Sequence, residues 1–156
     1  MITEAIPQSD CVEGAPHPRE TQQLIGQDKA QGSFISAFNS GRLHHAWLIT
    51  GPRGVGKATL TWKLARFLLA QENDTGGMFA SDPLPAETLD IAHDHPIMRR
   101  IFSLGEPRLF LCRRPWDEKL KRFKRDITVE ETRALKTFFQ MSAADGGWRV
   151  AIVDAA

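Results

Sequence analysis

Residues 51–58 read Gly-Pro-Arg-Gly-Val-Gly-Lys-Ala, which is the composition of a loop that binds phosphate. Gly51, Gly54 and Gly56 let the backbone adopt positive φ angles and curl its N–H groups inward. Those donors, together with the N-terminus of a following helix, form a concave site for an anion. Lys57 adds a positive charge for β- and γ-phosphates. The segment therefore predicts a site for the polyphosphate of a nucleotide; the alternative is a glycine turn beside a solvated lysine.

The residue after the lysine departs from this pattern. Ala58 occupies the position whose hydroxyl normally binds magnesium in such loops. Thr59 follows, but one step along a helix rotates a side chain by roughly 100°, so it is not a clean substitute. We expect phosphate binding to be retained and the positioning of Mg²⁺ to be impaired.

A second candidate residue, Asp154, ends the apolar run 150–153. An aspartate at the end of a hydrophobic strand organises the metal in many phosphate-loop proteins. Catalytically active ATPases of this broad class usually carry a glutamate next, which activates water, whereas Ala155 stands here. We expect weak or absent hydrolysis and assign no catalytic residue. The alternative is an ordinary acidic residue at the exit of a parallel strand.

Apolar patterns place these residues on a sheet and its helices. The sequence predicts helices over 28–40, 57–70 and 128–142, a possible short helix over 86–92, and buried strands over 46–49, 109–112 and 150–153. Thr128 and Glu131 fit a capping box at the start of the last helix, which would bury Leu135, Phe138 and Phe139. Strands that alternate with helices indicate an α/β fold with a parallel sheet.

We interpret residues 1–18, which are broken by prolines and Gly14, as a flexible N-terminal tail. Residues 19–156 would then be a partial nucleotide-binding domain, truncated after the strand over 150–153, and the chain would be an N-terminal fragment of a longer protein. Three strands are few for a sheet covered on both faces.

Bulk properties exclude several classes of protein. The chain has 156 residues, 42% of them hydrophobic, and a net charge of +1, which is ordinary for a soluble globular protein and argues against wholesale wrapping of nucleic acid. No apolar run approaches the ~20 residues that span a bilayer, and we expect a cytoplasmic protein. Cys11 and Cys112 form no CxxC pair, so we expect no zinc site.

Residues 113–125 are strongly basic, and Trp116 and Phe123 are interleaved with the charges. This segment could contact DNA phosphates or an acidic face of a partner protein. A solvated loop or helix face is the alternative that we favour from sequence. His93 and His95 have no third ligand at useful spacing and indicate a polar loop.

These residues together resemble a known family. The chain resembles the delta-prime subunits of bacterial DNA polymerase III clamp loaders, which are AAA+ proteins, in an alphaproteobacterial-like form. The resemblance is carried by residues 18–27, by the stretch Ser-Gly-Arg-Leu-His-His-Ala-Trp over 40–47, and by residues 51–57, 127–139 and 148–155. It implies a P-loop NTPase (AAA+) fold, in which helices flank a parallel sheet.

The resemblance also implies a function. The complex opens the ring-shaped sliding clamp and places it on primed DNA, so the partners would be other clamp-loader subunits and, through the complex, the clamp and the DNA, with no membrane. The chain would be a component of a DNA-directed DNA polymerase (nucleotidyltransferase) holoenzyme. Many relatives carry a four-cysteine zinc module that this sequence lacks.

ATP with Mg²⁺ is the implied ligand, although the changes at Ala58 and Ala155 suit a subunit that does not hydrolyse it. The resemblance would place Leu24, Ile25 and Gly26 beside the adenine, with His44 close by. The predicted nucleotide-site residues are Ile25, Gly51, Gly54, Val55, Gly56, Lys57, Ala58, Thr59 and Asp154.

Three classes of function stay open from the sequence. The first is an AAA+ assembly subunit with weak or absent hydrolysis. The second is an active P-loop ATPase or kinase of another family, in which Thr59 or water replaces the missing hydroxyl. The third is a scaffold that binds no nucleotide.

Overall fold

The protein has a mixed α/β structure, given by a computed structural model that describes residues 8, 11–12, 14–71, 84–141 and 146–154. The predicted end of the last helix at Ser142, and Ala155, lie outside these residues. The described elements, in chain order, are α1 (Asp28–Asn39), α2 (Lys57–Ala70), α3 (Pro96–Phe102), β1 (Leu109–Cys112), β2 (Trp116–Asp117), β3 (Arg122–Phe123), α4 (Val129–Gln140) and β4 (Val150–Val153).

Two of the predicted strands form a parallel pair. β1 lies beside β4, with Leu109 opposite Val150 and Cys112 opposite Val153. The ladder continues past the end of β4, because the Asp154 amide donates to the Cys112 carbonyl oxygen over 2.9 Å. The predicted strands over 109–112 and 150–153 and their parallel arrangement are confirmed.

α2 lies at the centre of the core and is buried on two sides. One side carries Trp62, Ala65 and Leu69, which pack against α3 and Ile152 of β4. The other side carries Leu60, Leu64 and Phe67, which pack against Phe34 of α1 and against Leu89. A helix that is apolar on both sides belongs in an interior, which is why α2 connects α1 to the sheet.

A buried cation of α2, Arg66, binds the segment before α1. Arg66 is 3% exposed and its guanidinium donates to the carbonyl oxygens of Arg19 (2.6 Å) and Thr21 (2.9 Å). Burial lowers the pKa of Arg66 from its ordinary value. His17 is also buried and meets the Trp62 ring edge-on, with centroids 6.2 Å apart. The tail boundary at residue 18 stays a prediction.

The predicted buried strand over 46–49 is wrong. These residues form no strand ladder, and Leu48 is 90% exposed. A strand requires a neighbour for its backbone groups, and the parallel pair of the described sheet is made by β1 and β4 alone. Trp47 packs instead on the Phe34 ring of α1, with centroids 5.1 Å apart.

The helix suggested over 86–92 is also absent, and α3 begins just after it. Pro96 starts α3 because a proline at the first helical position has no N–H to leave unpaired. The His95 ring accepts the Ile97 amide over 3.2 Å, so this histidine caps the helix rather than sitting in a plain loop.

α4 begins with the predicted capping box of Thr128 and Glu131, which is confirmed. Phe138 is buried and packs against Phe110 of β1, with ring centroids 5.3 Å apart. Phe139 is 54% exposed, so its predicted burial is wrong. One helical step of roughly 100° carries it past the edge of the covered face.

Candidate functional site

The loop over 51–56 is curled, as the glycine spacing predicts. Gly54 and Gly56 have φ angles of +84° and +89°, in the left-handed region that side-chain-bearing residues avoid. Gly56 is the N-cap of α2, and its carbonyl oxygen accepts the Leu60 amide over 2.9 Å. The loop therefore leads directly into a helix N-terminus, where unpaired N–H groups favour an anion.

Lys57 lies folded over this loop. Its ammonium nitrogen is 2.9 Å from the Gly51 carbonyl oxygen and 2.6 Å from that of Pro52. The positive charge is thus held at the loop by two neutral acceptors. Phosphate oxygens are stronger partners for an ammonium group than carbonyls are, so an incoming phosphate would compete well for this lysine.

A segment before α1 supports the loop from outside. The Gln27 side-chain amide donates to the Val55 carbonyl oxygen over 2.9 Å. A Cβ atom placed on Gly56 would lie 2.8 Å from Cδ1 of Leu24, so glycine is required there both for its φ angle and for the space. Sequence reasoning missed Gln27, since no local pattern links two residues 28 positions apart.

The remaining predicted residues near the loop differ in exposure. Ile25 is 89% exposed, which leaves its side chain open to a ligand. Ala58 and Thr59, in the first turn of α2, are half-buried. Ala58 brings no side-chain oxygen to this turn, so the residues present fit the phosphates of a nucleotide better than they fit Mg²⁺.

Asp154 lies at the carboxyl end of the parallel pair and is half-buried. Its amide is anchored to Cys112, and α2 packs against the strand that precedes it. Burial raises the pKa of the Cys112 thiol, with a smaller effect from Glu131. The structure thus brings the loop together with residues 24–27, and it ties Asp154 to the end of β1.

Within the described ranges, His, Cys, Asp and Glu side chains form no group of three that could hold a metal ion. Across the same ranges, each helix is too short or too polar to cross a membrane.

Comparison with known proteins identifies relatives. The "DNA polymerase III subunit gamma" of Buchnera aphidicola (subsp. Acyrthosiphon pisum) is 38% identical over 66 residues, which cover 42% of this chain and 17% of that protein. The "DNA polymerase III subunit gamma/tau" of Mycobacterium tuberculosis is 34% identical over 58 residues, which cover 37% of this chain and 10% of that protein.

The "DNA polymerase III subunit tau" of Escherichia coli K12 is 35% identical over 51 residues, which cover 33% of this chain and 8% of that protein. The chain thus spans less than a fifth of the curated relatives that it matches. No solved structure matches the chain. Residues 26–156, which include the loop, both strands of the parallel pair and Asp154, match the family described as "DNA polymerase III, delta subunit", and the chain belongs to that family.

Proposed function

We propose that the chain is a delta-prime-type subunit of the clamp loader of DNA polymerase III, in an alphaproteobacterial-like form. It would help to load the sliding clamp onto primed DNA as part of the holoenzyme, in the cytoplasm, together with other clamp-loader subunits. Membership of the delta subunit family and the similarity to gamma and tau subunits support this role.

We further propose that its AAA+ phosphate loop binds ATP with weak or absent hydrolysis. The observation that carries this proposal is the curled glycine loop at the start of α2, with Lys57 held at the loop and Ala58 next to it. An ammonium group and a helix N-terminus together stabilise negative charge at one point. The missing hydroxyl removes a ligand for Mg²⁺ and leaves the phosphate contacts intact.

Binding of ATP would change the hydrogen-bond partners of Lys57. Lys57 would release the carbonyl oxygens of Gly51 and Pro52 and donate to phosphate oxygens. Gln27 would hold the loop in shape through Val55, and the exposed Ile25 would lie against the base. Mg²⁺, when bound, would neutralise phosphate charge; Asp154 is the residue of this chain suited to orient it.

The test is ATP binding to the full chain, with and without Mg²⁺, together with hydrolysis by the same sample. We expect binding that depends little on Mg²⁺ and turnover far below about 1 s⁻¹, an ordinary enzyme rate. Lys57→Ala should weaken binding by about tenfold or more, since a charge-assisted hydrogen bond contributes ~1.5–3 kcal/mol. Ala58→Thr, which restores the hydroxyl, should make binding more dependent on Mg²⁺.

The other two classes of function give different outcomes. Rapid turnover that Lys57→Ala abolishes would identify an active ATPase. An absence of ATP binding in a folded chain would identify a scaffold without nucleotide. Binding that Lys57→Ala leaves unchanged would place the nucleotide elsewhere and would overturn the assignment of the loop.

A further inference from the structure

The basic segment noted in the sequence folds as a hairpin that concentrates positive charge. We define the basic hairpin as residues 113–126, which contain seven Lys and Arg residues and three acidic residues. Its net charge is therefore +4, whereas the whole chain carries +1, so the remainder of the chain is net negative. The charge is local, which is the pattern expected of a contact surface for a polyanion.

The basic hairpin is a defined structure rather than a plain charged loop. β2 and β3 pair antiparallel, with Trp116 opposite Phe123. The Lys124 amide donates to the Pro115 carbonyl oxygen over 2.9 Å. The Asp117 carboxylate accepts the amides of Lys119 (3.0 Å) and Leu120 (2.9 Å), which fixes the turn. The cations at the tip are therefore carried on a braced turn.

Most of this charge is exposed and weakly compensated. Five of the cationic side chains are exposed: Lys119, Lys121, Arg122, Lys124 and Arg125. The ion pair of Lys121 with Glu118 has an N–O distance of 3.8 Å, and the two side chains are 72% and 70% exposed. A pair so open to solvent is worth little and would not prevent Lys121 from binding another anion.

Lys121 is also held in an unfavourable backbone conformation. Its φ angle is +50°, in the left-handed region that suits glycine or asparagine at such a turn. The hairpin thus has a lysine where glycine or asparagine would fold with less strain. Strain of this kind is concentrated at functional sites, and here the strained residue carries a positive charge at the tip of the hairpin.

The aromatic side chains of the hairpin indicate how the ligand is contacted. The Trp116 and Phe123 rings meet edge-to-face with centroids 5.0 Å apart, and both side chains are half-buried. They brace the hairpin against itself, and do not form an open platform for stacked bases, which single-strand binding proteins use. Contacts from such a surface would go to phosphates.

We propose that the basic hairpin binds the phosphodiester backbone of duplex DNA directly, without reading sequence. This inference rests on the proposed function, which brings primed DNA to the complex, and goes beyond it by assigning a DNA contact to this chain. An acidic face of a protein is the competing ligand. The braced aromatic rings and the exposed cations on the turn and on β3 favour the regular phosphates of a duplex.

The first test measures binding of the full chain to a fluorescent duplex, as a function of salt. Arg122→Glu with Lys124→Glu should weaken binding at least tenfold at about 0.1 M salt, and the slope of log Kd against log salt should fall by about one for each phosphate that the variant no longer neutralises. The matched control reverses two exposed cations on other elements, Lys29 of α1 and Arg99 of α3. That control changes net charge equally and should weaken binding far less.

The second test uses the strained lysine. Lys121→Gly removes one charge and relieves the positive φ angle, so the variant should unfold no more easily than the wild type. Its duplex binding should nevertheless be about threefold weaker, with a salt slope lower by about one. Reduced affinity in a chain of equal or greater stability is not explained by damage to the fold.

These outcomes separate the hairpin from the phosphate loop. Nucleotide binding should be unchanged in every hairpin variant, and duplex binding should be unchanged in Lys57→Ala. If the hairpin variants bind duplex as tightly as the control does, the DNA contact is overturned and an acidic protein becomes the better ligand. That result would leave the nucleotide site untouched.

Discussion

At the scale of single residues, Gly56 is where the geometry of the loop is most tightly constrained. Glycine is required there for two independent reasons. The φ angle is +89°, and a Cβ atom would lie 2.8 Å from a methyl group of Leu24. Gly54 has a similar φ angle of +84°, but a Cβ atom there would meet nothing within 4 Å. A substitution at Gly54 therefore tests backbone strain alone, whereas a substitution at Gly56 tests strain and steric contact together.

Gly54→Ala should lower the free energy of unfolding by about 1–2 kcal/mol through strain alone. Gly56→Ala should cost more, because Leu24 must also move, and it should weaken ATP binding in parallel. Denaturant unfolding of both variants gives the comparison. Leu24 itself packs against the core, so Gly56→Ala is also introduced into Leu24→Ala and compared with that variant alone, where it should cost only the strain part. Equal costs for Gly54→Ala and Gly56→Ala in the wild type would show that Leu24 gives way freely.

At the scale of elements, α4 depends on its first turn. The Thr128 amide donates to the Glu131 carboxylate over 3.1 Å, and the Thr128 hydroxyl contacts the same carboxylate. α4 in turn places Phe138 against β1, so the cap helps to hold the helix that follows the basic hairpin. A capping box of this kind satisfies N–H groups that the helix cannot pair itself.

Glu131→Ala should therefore lower the free energy of unfolding by about 1 kcal/mol. Asp28→Ala is the matched control, since it removes an acidic side chain from the first turn of another helix, α1, that has no side-chain cap. Thermal or urea unfolding should rank Glu131→Ala as the more destabilising change. If the two variants are equally stable, the acidic residues act only through the helix dipole and not through the cap.

Some of these helices and strands could be predicted from the sequence, and others could not. The loop, α2, α4, β1 and β4 follow from local patterns, because each pattern repeats over several residues of its own element. The strand over 46–49 failed because pairing depends on a partner that a local pattern does not reveal. β2 and β3 were missed because two-residue strands show no period at all. Gln27, which supports the loop, acts across 28 positions.

At the scale of the whole molecule, buried charge on α2 links distant segments of the chain. Lys63 is 7% exposed, and its ammonium nitrogen lies 2.7 Å from an oxygen of Asp90, a carboxylate that is 67% exposed. The hydrogen bond from Lys63, followed by one from the Thr88 hydroxyl, holds the pKa of Asp90 below its ordinary value. The ion pair fastens the segment that precedes α3 to the central helix.

Asp90→Asn should lower the free energy of unfolding at pH 7 by about 1 kcal/mol, since one member of the pair is open to solvent. The sign of the pH dependence follows from the lowered pKa. The stabilising effect of Asp90 is fully present above the pKa of an unfolded aspartate, about 3.9, and is lost as pH falls through the lower folded pKa. The difference between wild type and Asp90→Asn should therefore shrink below about pH 4.

Urea unfolding at a series of pH values checks this prediction, with Glu87→Gln as the control for removal of one nearby exposed charge. That control should follow the wild type at every pH. A wild-type advantage over Asp90→Asn that stays constant down to about pH 3 would show that the carboxylate acts by shape and not by charge. Because Lys63 lies on the helix that begins at the glycine loop over 51–56, ATP affinity measured over the same pH series would show whether loosening the segment around Asp90 reaches the proposed site.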